Sequence, residues 1–163
     1  MDESTAIAAF VGNKSAYYAR VWQCKDGEPR PRLSVNVAAV IFGLFWLAYR
    51  KLYTPLLAVI GIMLADGLSI SALEDTGMIP AVMIDAWDLI APLVYAAVLG
   101  GFGNRWYWNK YQKTAAKARS ASPDPLLQEA YLRERGGTSL FSALVLLAAA
   151  IGVVALAISA FGV

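Results

Sequence analysis

The 163-residue chain contains no histidine and only one cysteine, Cys24, which excludes several classes of chemistry at once. Without histidine there is no imidazole ligand for zinc, haem or non-haem iron, and no histidine base for a serine or cysteine nucleophile. A single cysteine excludes an internal disulfide. We therefore predict no catalytic residue, no cofactor and no metal site, and expect a protein that is not an enzyme.

Charged residues are also scarce. They make up 16% of the chain and hydrophobic residues 58%, whereas soluble domains are about half apolar and about a quarter charged. This composition is typical of a membrane protein. The formal net charge of +2 is too small to indicate nucleic-acid binding, so the lipid bilayer is the expected partner.

Long apolar runs are present at residues 54–73, 79–103 and 139–163. Each approaches or exceeds the roughly 20 residues that a helix needs to cross the bilayer. A fourth apolar segment, within residues 33–53, extends as a helix for only about 22 Å, less than the roughly 30 Å of hydrocarbon. The fold class predicted is all-α: three spanning helices, a short re-entrant or in-plane apolar helix, and amphipathic interfacial helices.

The positive charges decide between two topologies for the short segment. If it crossed, the basic residues of segments 1–32 and 104–138 would lie on opposite faces, against the positive-inside rule. If it enters and returns, or lies in the interface, all 14 basic residues fall on one side. We therefore predict three crossings and a cytoplasmic N-terminus. Four crossings, with Arg50 and Lys51 outside, are the alternative.

The chain is thus expected to consist of a cytoplasmic amphipathic N-terminal region, residues 1–32, and a membrane domain, residues 33–163. An amphipathic helix is predicted near residues 13–24, followed by a stiff linker containing Gly27, Pro29 and Pro31. Residues 104–138 form a helical cytoplasmic loop. In that loop Asp124 is a predicted helix cap, and Glu129 is spaced to pair with Arg133.

Aromatic and basic residues cluster at the predicted membrane interface, where tyrosine and tryptophan are enriched and cationic stems reach headgroups. We predict that these residues anchor the chain and form a docking face, made of Tyr17, Tyr18, Trp22, Tyr49, Arg50, Lys51, Tyr53, Trp106, Tyr107 and Trp108. In the alternative interpretation, the aromatic side chains of the N-terminal helix pack against the protein's own cytoplasmic loop.

Three acids, Asp66, Asp85 and Asp88, lie inside apolar segments, and intramembrane ionisable residues are functional candidates. Asp85 and Asp88 are spaced to share a helix face with Pro92 and Tyr95. Such a cluster is able to hold a cation or share protons. A small oligomeric transporter or ion-coupled protein is therefore the alternative function. In the structural interpretation, the acids face water or a partner's lysine.

Small residues recur along the last apolar segment. Ala148 and Gly152 form one small-xxx-small pair, and Ala155 and Ser159 form a second. Such pairs let helix backbones approach closely in a membrane. We expect this helix to pack against a membrane-protein partner or to mediate self-association.

Three segments carry a family resemblance: "SVNVAAVIFGLFWLAYRKLY" from Ser34 to Tyr53, "GNRWYW" from Gly103 to Trp108, and "GGTS" from Gly136 to Ser139. In this order they resemble a family of small bacterial membrane proteins of unknown function. Its members carry an Asn, a Phe/Trp-rich apolar run ending in Tyr-Arg-Lys-Met-Tyr, and a later Gly-Asn-x-x-Tyr. Here Leu52 replaces the usual Met, and Val37 stands where an aromatic residue often follows the Asn.

The resemblance covers roughly residues 10 to 140 and implies a bacterial inner-membrane location. It implies no catalytic residue. Together with the missing nucleophile and base, it makes the expected function that of a non-enzymatic accessory, scaffold or regulatory protein, which docks other membrane or cytoplasmic proteins.

Overall fold

The computed structural model describes residues 1–22 and 34–161, with side chains as far as Val153. Cys24 and the predicted linker lie outside the described residues. Helices are the only regular secondary structure in the described part, which confirms the predicted all-α class. Its seven helices are α1 Glu3–Val11, α2 Ser15–Trp22, α3 Val37–Tyr49, α4 Tyr53–Asp75, α5 Ala81–Ala121, α6 Pro125–Arg135 and α7 Leu140–Phe161.

Three helical stretches are long and apolar enough to cross a membrane: Tyr53–Asp75, Ala81–Ala121 and Pro125–Val153. In the third, the apolar window belongs to α7, because α6 is charged and α7 carries no ionisable residue. Helix α3 is apolar but shorter than a spanning helix. By length and composition, α4, α5 and α7 are therefore able to cross a membrane, as the sequence predicts.

Helix α5 is much longer than a bilayer is thick. Its 41 residues extend for about 60 Å, twice the roughly 30 Å hydrocarbon thickness. The apolar part ends near Gly103, and the remainder carries basic residues up to Arg119. Helices α1, α2 and α6 gather around this polar half of α5. We call this packed part, residues 1–22 and 104–135, the head.

The first helix of the head is not predicted by the sequence analysis. Its N-cap is Asp2, whose carboxylate accepts a hydrogen bond of 2.9 Å from the Thr5 amide. Ile7, Phe10 and Val11 then face the interior. An acidic cap followed by apolar residues at helical spacing indicates a helix. This pattern begins at Asp2, so the sequence alone could have predicted α1.

The helix predicted near the end of the head has the expected local structure. The Asp124 carboxylate accepts a hydrogen bond of 2.9 Å from the Leu126 amide. Glu129 pairs with Arg133 at 2.6 Å, one helical turn later. These two interactions explain why α6 forms at this position after the break at Ser122 and Pro123.

Helix α3 is sharply kinked at Gly43, whose φ of +52° and ψ of −124° are not helical. Only glycine adopts this region without strain. The start of α3 lies against α5, because the Asn36 amide donates to the Gly100 carbonyl at 2.9 Å. The end lies there too, because the Lys110 ammonium donates to the Arg50 carbonyl at 3.1 Å. We call the segment from Asn36 to Arg50 the hairpin.

Candidate functional site

The two ends of the hairpin converge on one side chain. Asn36 and Arg50 would be about 21 Å apart in a straight helix. Instead, the Tyr18 side chain interacts with both of them, and the Arg50 guanidinium lies 5.0 Å from the Tyr18 ring centroid. The segment thus returns to the level at which it began. This geometry agrees with the predicted re-entrant or in-plane helix and not with a crossing one.

Glycines of α5 allow the hairpin to pack directly on the helix backbone. A Cβ atom at Gly100 would overlap the Val40 side chain. At Gly103, a Cβ would lie 3.2 Å from the Ala39 Cβ and equally close to the Trp46 ring. The glycine-rich stretch before Asn104 is therefore a packing surface for the hairpin, because side chains there would push its two arms away.

A buried amide pair joins the start of the hairpin to α5. The Asn36 side-chain nitrogen donates to the Asn104 side-chain oxygen at 2.7 Å, and the Asn36 oxygen caps α3 by accepting from the Ala39 amide at 3.0 Å. The Asn104 nitrogen donates to Ser34 Oγ at 2.8 Å and to the Tyr17 hydroxyl at 3.3 Å. Both amides are thereby satisfied in a buried site, as buried polar groups must be.

The end of the hairpin is held by a buried arginine, Arg50, which has no carboxylate partner among the described residues. The Arg50 guanidinium lies 5.0 Å from the ring centroids of both Tyr18 and Tyr107, and 5.9 Å from that of Tyr49. Its Nη1 also reaches the Tyr107 hydroxyl at 3.5 Å. Cation–π contacts of this kind are strongest where water is excluded. Burial raises the pKa of Tyr107 to about 12, so this phenol stays neutral.

Around this arginine lies a cluster of aromatic rings that forms the core of the head. Trp22 is its centre: its ring centroid lies 4.9 Å from that of Tyr18, 5.5 Å from that of Tyr107 and 5.1 Å from that of Trp108. Phe10 of α1 covers Tyr107 at 5.3 Å. The Tyr111 hydroxyl then donates to Glu3 at 2.8 Å, which fastens α1 over the cluster.

Half of the residues predicted to form the docking face are therefore buried in the interior of the head. Tyr18, Trp22, Arg50, Tyr107 and Trp108 are between 0% and 6% exposed, so they cannot reach a headgroup or a docking partner. That part of the prediction is wrong, because α1, which the sequence analysis missed, closes over these side chains. These buried side chains pack within the chain, as the alternative interpretation proposed for the aromatic residues of the N-terminal helix. The other predicted members are exposed or half-buried: Tyr17, Tyr49, Lys51, Tyr53 and Trp106.

The model of one protein family, described as a protein of unknown function (DUF2628), matches residues 8–113. This is more than half of the chain. The chain belongs to the DUF2628 family. No curated protein and no solved structure matches it.

The match to DUF2628 includes α2, the hairpin and the residues of α5 that hold the hairpin. The two segments that carried the resemblance, 34–53 and 103–108, are thus in direct contact through Asn36 with Asn104 and through Arg50 with Tyr107. The third segment, 136–139, lies beyond the matched residues.

In this DUF2628 protein the predicted intramembrane acids occupy different surroundings. Asp66 of α4 accepts hydrogen bonds from the Trp87 indole at 3.1 Å and from the Tyr95 hydroxyl at 2.9 Å. Asp66 and Asp88 both line a groove of about 680 Å³, which lies between α4, α5 and the tip of the hairpin at Gly43. We call it the α4–α5 groove.

The three acids do not form one cluster. Asp85 is exposed and does not line the α4–α5 groove, although Glu74 does. Asp85 and Asp88 are spaced to share a helix face, but only Asp88 lines the α4–α5 groove, so the three acids do not all meet there. Among the described residues, no group of three or more histidine, cysteine, aspartate or glutamate side chains is placed to hold a metal ion.

Helix α7 leaves its small residues uncovered as far as they are described. Ala148 and Gly152 are exposed, and no residue of the helix from Leu140 to Val153 is buried. Ala155 and Ser159 lie outside the described side chains. Helix α7 contacts the rest of the chain at its start, where the Ser139 amide donates to the Tyr49 carbonyl at 2.7 Å, and through Leu146, which packs against the core.

Proposed function

We propose that this DUF2628 protein is a non-enzymatic accessory protein of a bacterial inner membrane, which docks a transmembrane helix of another membrane protein. The observation that carries the proposal is the contrast between a packed head and uncovered apolar helices. In the most apolar part of each stretch that is able to span, only a small share of the residues is buried: 11% in Tyr53–Asp75, 17% in Ala81–Ala121 and 6% in Pro125–Val153. The apolar helices thus leave most of their surface for lipid or for partner helices.

The α4–α5 groove is the surface where lipid is a poor occupant. Its lining includes the carboxylates of Asp66, Glu74 and Asp88 together with Ser71. A carboxylate exposed to hydrocarbon is costly, and intramembrane acids pair with other polar groups. The Asp66 carboxylate has two donors from its own chain, whereas Asp88 is exposed. A helix that brings a basic side chain or a strong hydrogen-bond donor to the depth of Asp88 would complete this site.

A second copy of the chain in parallel orientation does not supply a basic side chain. The chain has no basic residue between Tyr53 and Asn104, the part that contains α4 and the apolar part of α5. A parallel copy would therefore bring further acids but no cation to the depth of Asp88, and like charges repel. This charge argument favours a helix of a different membrane protein over self-association at this groove.

The orientation proposed follows the positive-inside rule. The end of α4 carries Glu74 and Asp75, and neither it nor the connection to α5 contains a lysine or arginine, whereas the head carries most of the basic residues. Basic residues near the ends of spanning helices remain cytoplasmic. The head is therefore assigned to the cytoplasm, and the α4–α5 groove opens toward the opposite face.

Site-specific photocrosslinking in intact membranes tests the docking proposal. A photoreactive phenylalanine is placed at Ile70 or Ile84, which line the groove, and at Leu57, an exposed α4 residue that does not. We expect one discrete protein adduct from the groove positions and only lipid adducts from Leu57. In the adduct, mass spectrometry should identify a spanning helix with a basic or donor side chain.

Asp88→Asn is the matched variant for this experiment, because it keeps the size of the side chain and removes its charge. It should weaken the Ile84 adduct severalfold without changing protein abundance. An adduct of twice the chain's mass would indicate self-association at the groove and would contradict docking of a different protein. Lipid adducts alone at both groove positions would contradict docking at this site.

Ion-coupled transport is the second candidate, and the specific observation in its favour is that Asp66 and Asp88 line the same groove. Two carboxylates in an apolar site are able to share protons or hold a cation. Proton or cation flux into vesicles containing the purified protein distinguishes this function. Flux that Asp66→Asn and Asp88→Asn abolish would favour transport, whereas absent flux beside a specific adduct would favour docking.

A further inference from the structure

A second pocket, of about 400 Å³, lies at the junction of the head and the first turn of α4. Among the described residues, its lining contains five basic side chains and no carboxylate. We call it the cationic pocket, and its basic residues are Lys51, Lys110, Lys113, Lys117 and Arg135. Because these cations come from the hairpin end, from α5 and from α6, tertiary packing gathers them.

The cations are positioned by contacts within the chain. Lys51 has φ +56°, an unusual value for a residue with a side chain, and its ammonium donates to the Glu134 carbonyl at 3.3 Å. Lys110 donates to the Arg50 carbonyl, and the Arg135 guanidinium stacks at 5.2 Å on Tyr131. A strained backbone that persists in a folded chain is held by its surroundings. The charge density here is thus a built feature of the fold.

Mutual repulsion makes this arrangement unfavourable without a counter-ion. Burial, together with the neighbouring Lys51 and Arg50 charges, lowers the pKa of Lys110 to about 8. Lys110 lies beyond the apolar part of α5, so an anion has aqueous access to it. A bound anion would relieve the repulsion among all five cations.

The walls of the cationic pocket indicate where the anion comes from. Tyr53, Thr54 and Pro55, from the first turn of the membrane helix α4, line one side. Trp106, one turn beyond the end of the apolar part of α5, also lines it. Tyrosine and tryptophan at this level sit among lipid headgroups. The pocket is therefore at headgroup depth and is continuous with the apolar surface of α4.

We propose that the cationic pocket binds the phosphate groups of an anionic membrane lipid, with a preference for a headgroup that carries two phosphates. Basic pockets beside spanning helices on the cytoplasmic side are suited to such headgroups. Lys110 and Lys51 lie deepest and contact the first phosphate. Lys113 and Lys117, on the same face of α5 at successive turns, contact the second. This site is independent of the proposed docking at the α4–α5 groove.

Lipid binding to the full chain in neutral detergent micelles tests the proposal. Cardiolipin, which has two phosphates, and phosphatidylcholine are titrated, and bound lipid is counted by native mass spectrometry. The variant pair is Lys113→Gln with Lys117→Gln. The matched control is Arg105→Gln with Arg119→Gln, which removes two exposed charges from the same helix but none from the pocket.

We expect cardiolipin to bind more tightly than phosphatidylcholine. The pocket variant should lose about thirty-fold in cardiolipin affinity, and the control variant should lose less than about threefold. Equal losses in the two variants would overturn the pocket, since they would indicate a nonspecific charge effect. Equal binding of the two lipids by the wild-type chain would overturn the preference for phosphates.

Inorganic pyrophosphate distinguishes a lipid from a soluble source of the same chemistry. Its binding is measured by isothermal titration calorimetry, and its competition with cardiolipin by mass spectrometry. Weak competition at the same site supports the lipid headgroup. Pyrophosphate binding that is tighter than cardiolipin binding, and that the pocket variant abolishes, would overturn the lipid assignment in favour of a soluble diphosphate.

Discussion

The side-chain nitrogen of Asn36 donates a hydrogen bond of 2.7 Å to the side-chain oxygen of Asn104, across 68 residues of sequence. This bond fixes the start of the hairpin at the level where α5 leaves its apolar part. Both side chains are buried, at 3% and 1% exposed, so neither has water as a substitute partner. The pair therefore contributes to the depth at which the apolar hairpin is held.

Asn104→Leu should destabilise the fold by about 2 to 3 kcal/mol, because it leaves the Asn36 amide and the Ser34 hydroxyl without their buried partner. The measurement is thermal unfolding in detergent, followed by tryptophan fluorescence. Asn109→Leu is the control, since Asn109 is exposed on the same helix. Equal losses of stability in the two variants would show that the amide pair does not hold the hairpin.

Gly100→Ala should destabilise the fold by about 1 to 3 kcal/mol, because the new methyl group overlaps Val40 and pushes the hairpin from α5. The neighbouring Gly101→Ala provides the comparison, since nothing lies within 4 Å of its new Cβ atom. That change should be neutral or stabilise the helix by up to about 1 kcal/mol. The same thermal unfolding assay measures both, and a stable Gly100→Ala would contradict direct packing.

Tyr18→Leu should destabilise the head by about 2 to 3 kcal/mol, through the loss of ring contacts with Trp22 and Tyr107 and of the cation–π contact with Arg50. Tyr17→Leu, at the adjacent position, removes a side chain that is 40% exposed and should have a smaller effect. Chemical denaturation followed by near-UV circular dichroism reports on the aromatic cluster. If the order of the two effects were reversed, Tyr18 would not be the residue on which the hairpin closes.

Cysteine accessibility in whole cells should show three crossings. On a Cys24→Ser background, a membrane-impermeant thiol reagent should label Met78→Cys but neither Thr54→Cys nor Thr138→Cys until the membrane is permeabilised. All three positions are exposed. Gly136 is unsuitable for this experiment because a side chain there would overlap the Phe10 backbone. Labelling of Thr54→Cys and Thr138→Cys without Met78→Cys would contradict a cytoplasmic head.

Phosphate binding at the cationic pocket should weaken as pH rises above about 8. Lys110 has a folded-state pKa of about 8, below its ordinary value of 10.5, so it loses its proton first as pH rises through that value. Lys51, Lys113, Lys117 and Arg135 face the same pocket. Cardiolipin affinity measured between pH 7.5 and pH 9.5 should fall in the wild-type chain and stay flat in Lys110→Gln. A similar decline in that variant would assign the titration to another lysine.

The same pKa shift has a consequence for stability. A lysine whose folded-state pKa is lowered disfavours the folded state while it is charged, below about pH 8. The penalty disappears as pH rises from the folded pKa toward the unfolded one. Unfolding measurements without lipid should therefore show Lys110→Gln gaining stability relative to the wild type at pH 7, and this gain should shrink toward pH 10.

The membrane architecture was predictable because its signals are local and additive. The length of the run from Thr54 to Leu73 and the position of every lysine and arginine are properties of the chain itself, and the bilayer acts on them directly. The Asp124 cap of α6 was predictable for the same reason, since the Leu126 amide lies only two residues away. The sequence by itself thus determined the all-α class and three helices that are long and apolar enough to span a membrane.

The tertiary structure decided which of the chemistry-bearing residues meet. Tyr18 and Tyr107 have the same sequence character as the exposed Tyr17, and they are buried only because Phe10 and Arg50 arrive from distant parts of the chain. The cations of the cationic pocket likewise converge from Lys51, directly after the hairpin, and from α5 and α6. Contacts between residues far apart in sequence depend on how whole helices pack, and no local pattern encodes them.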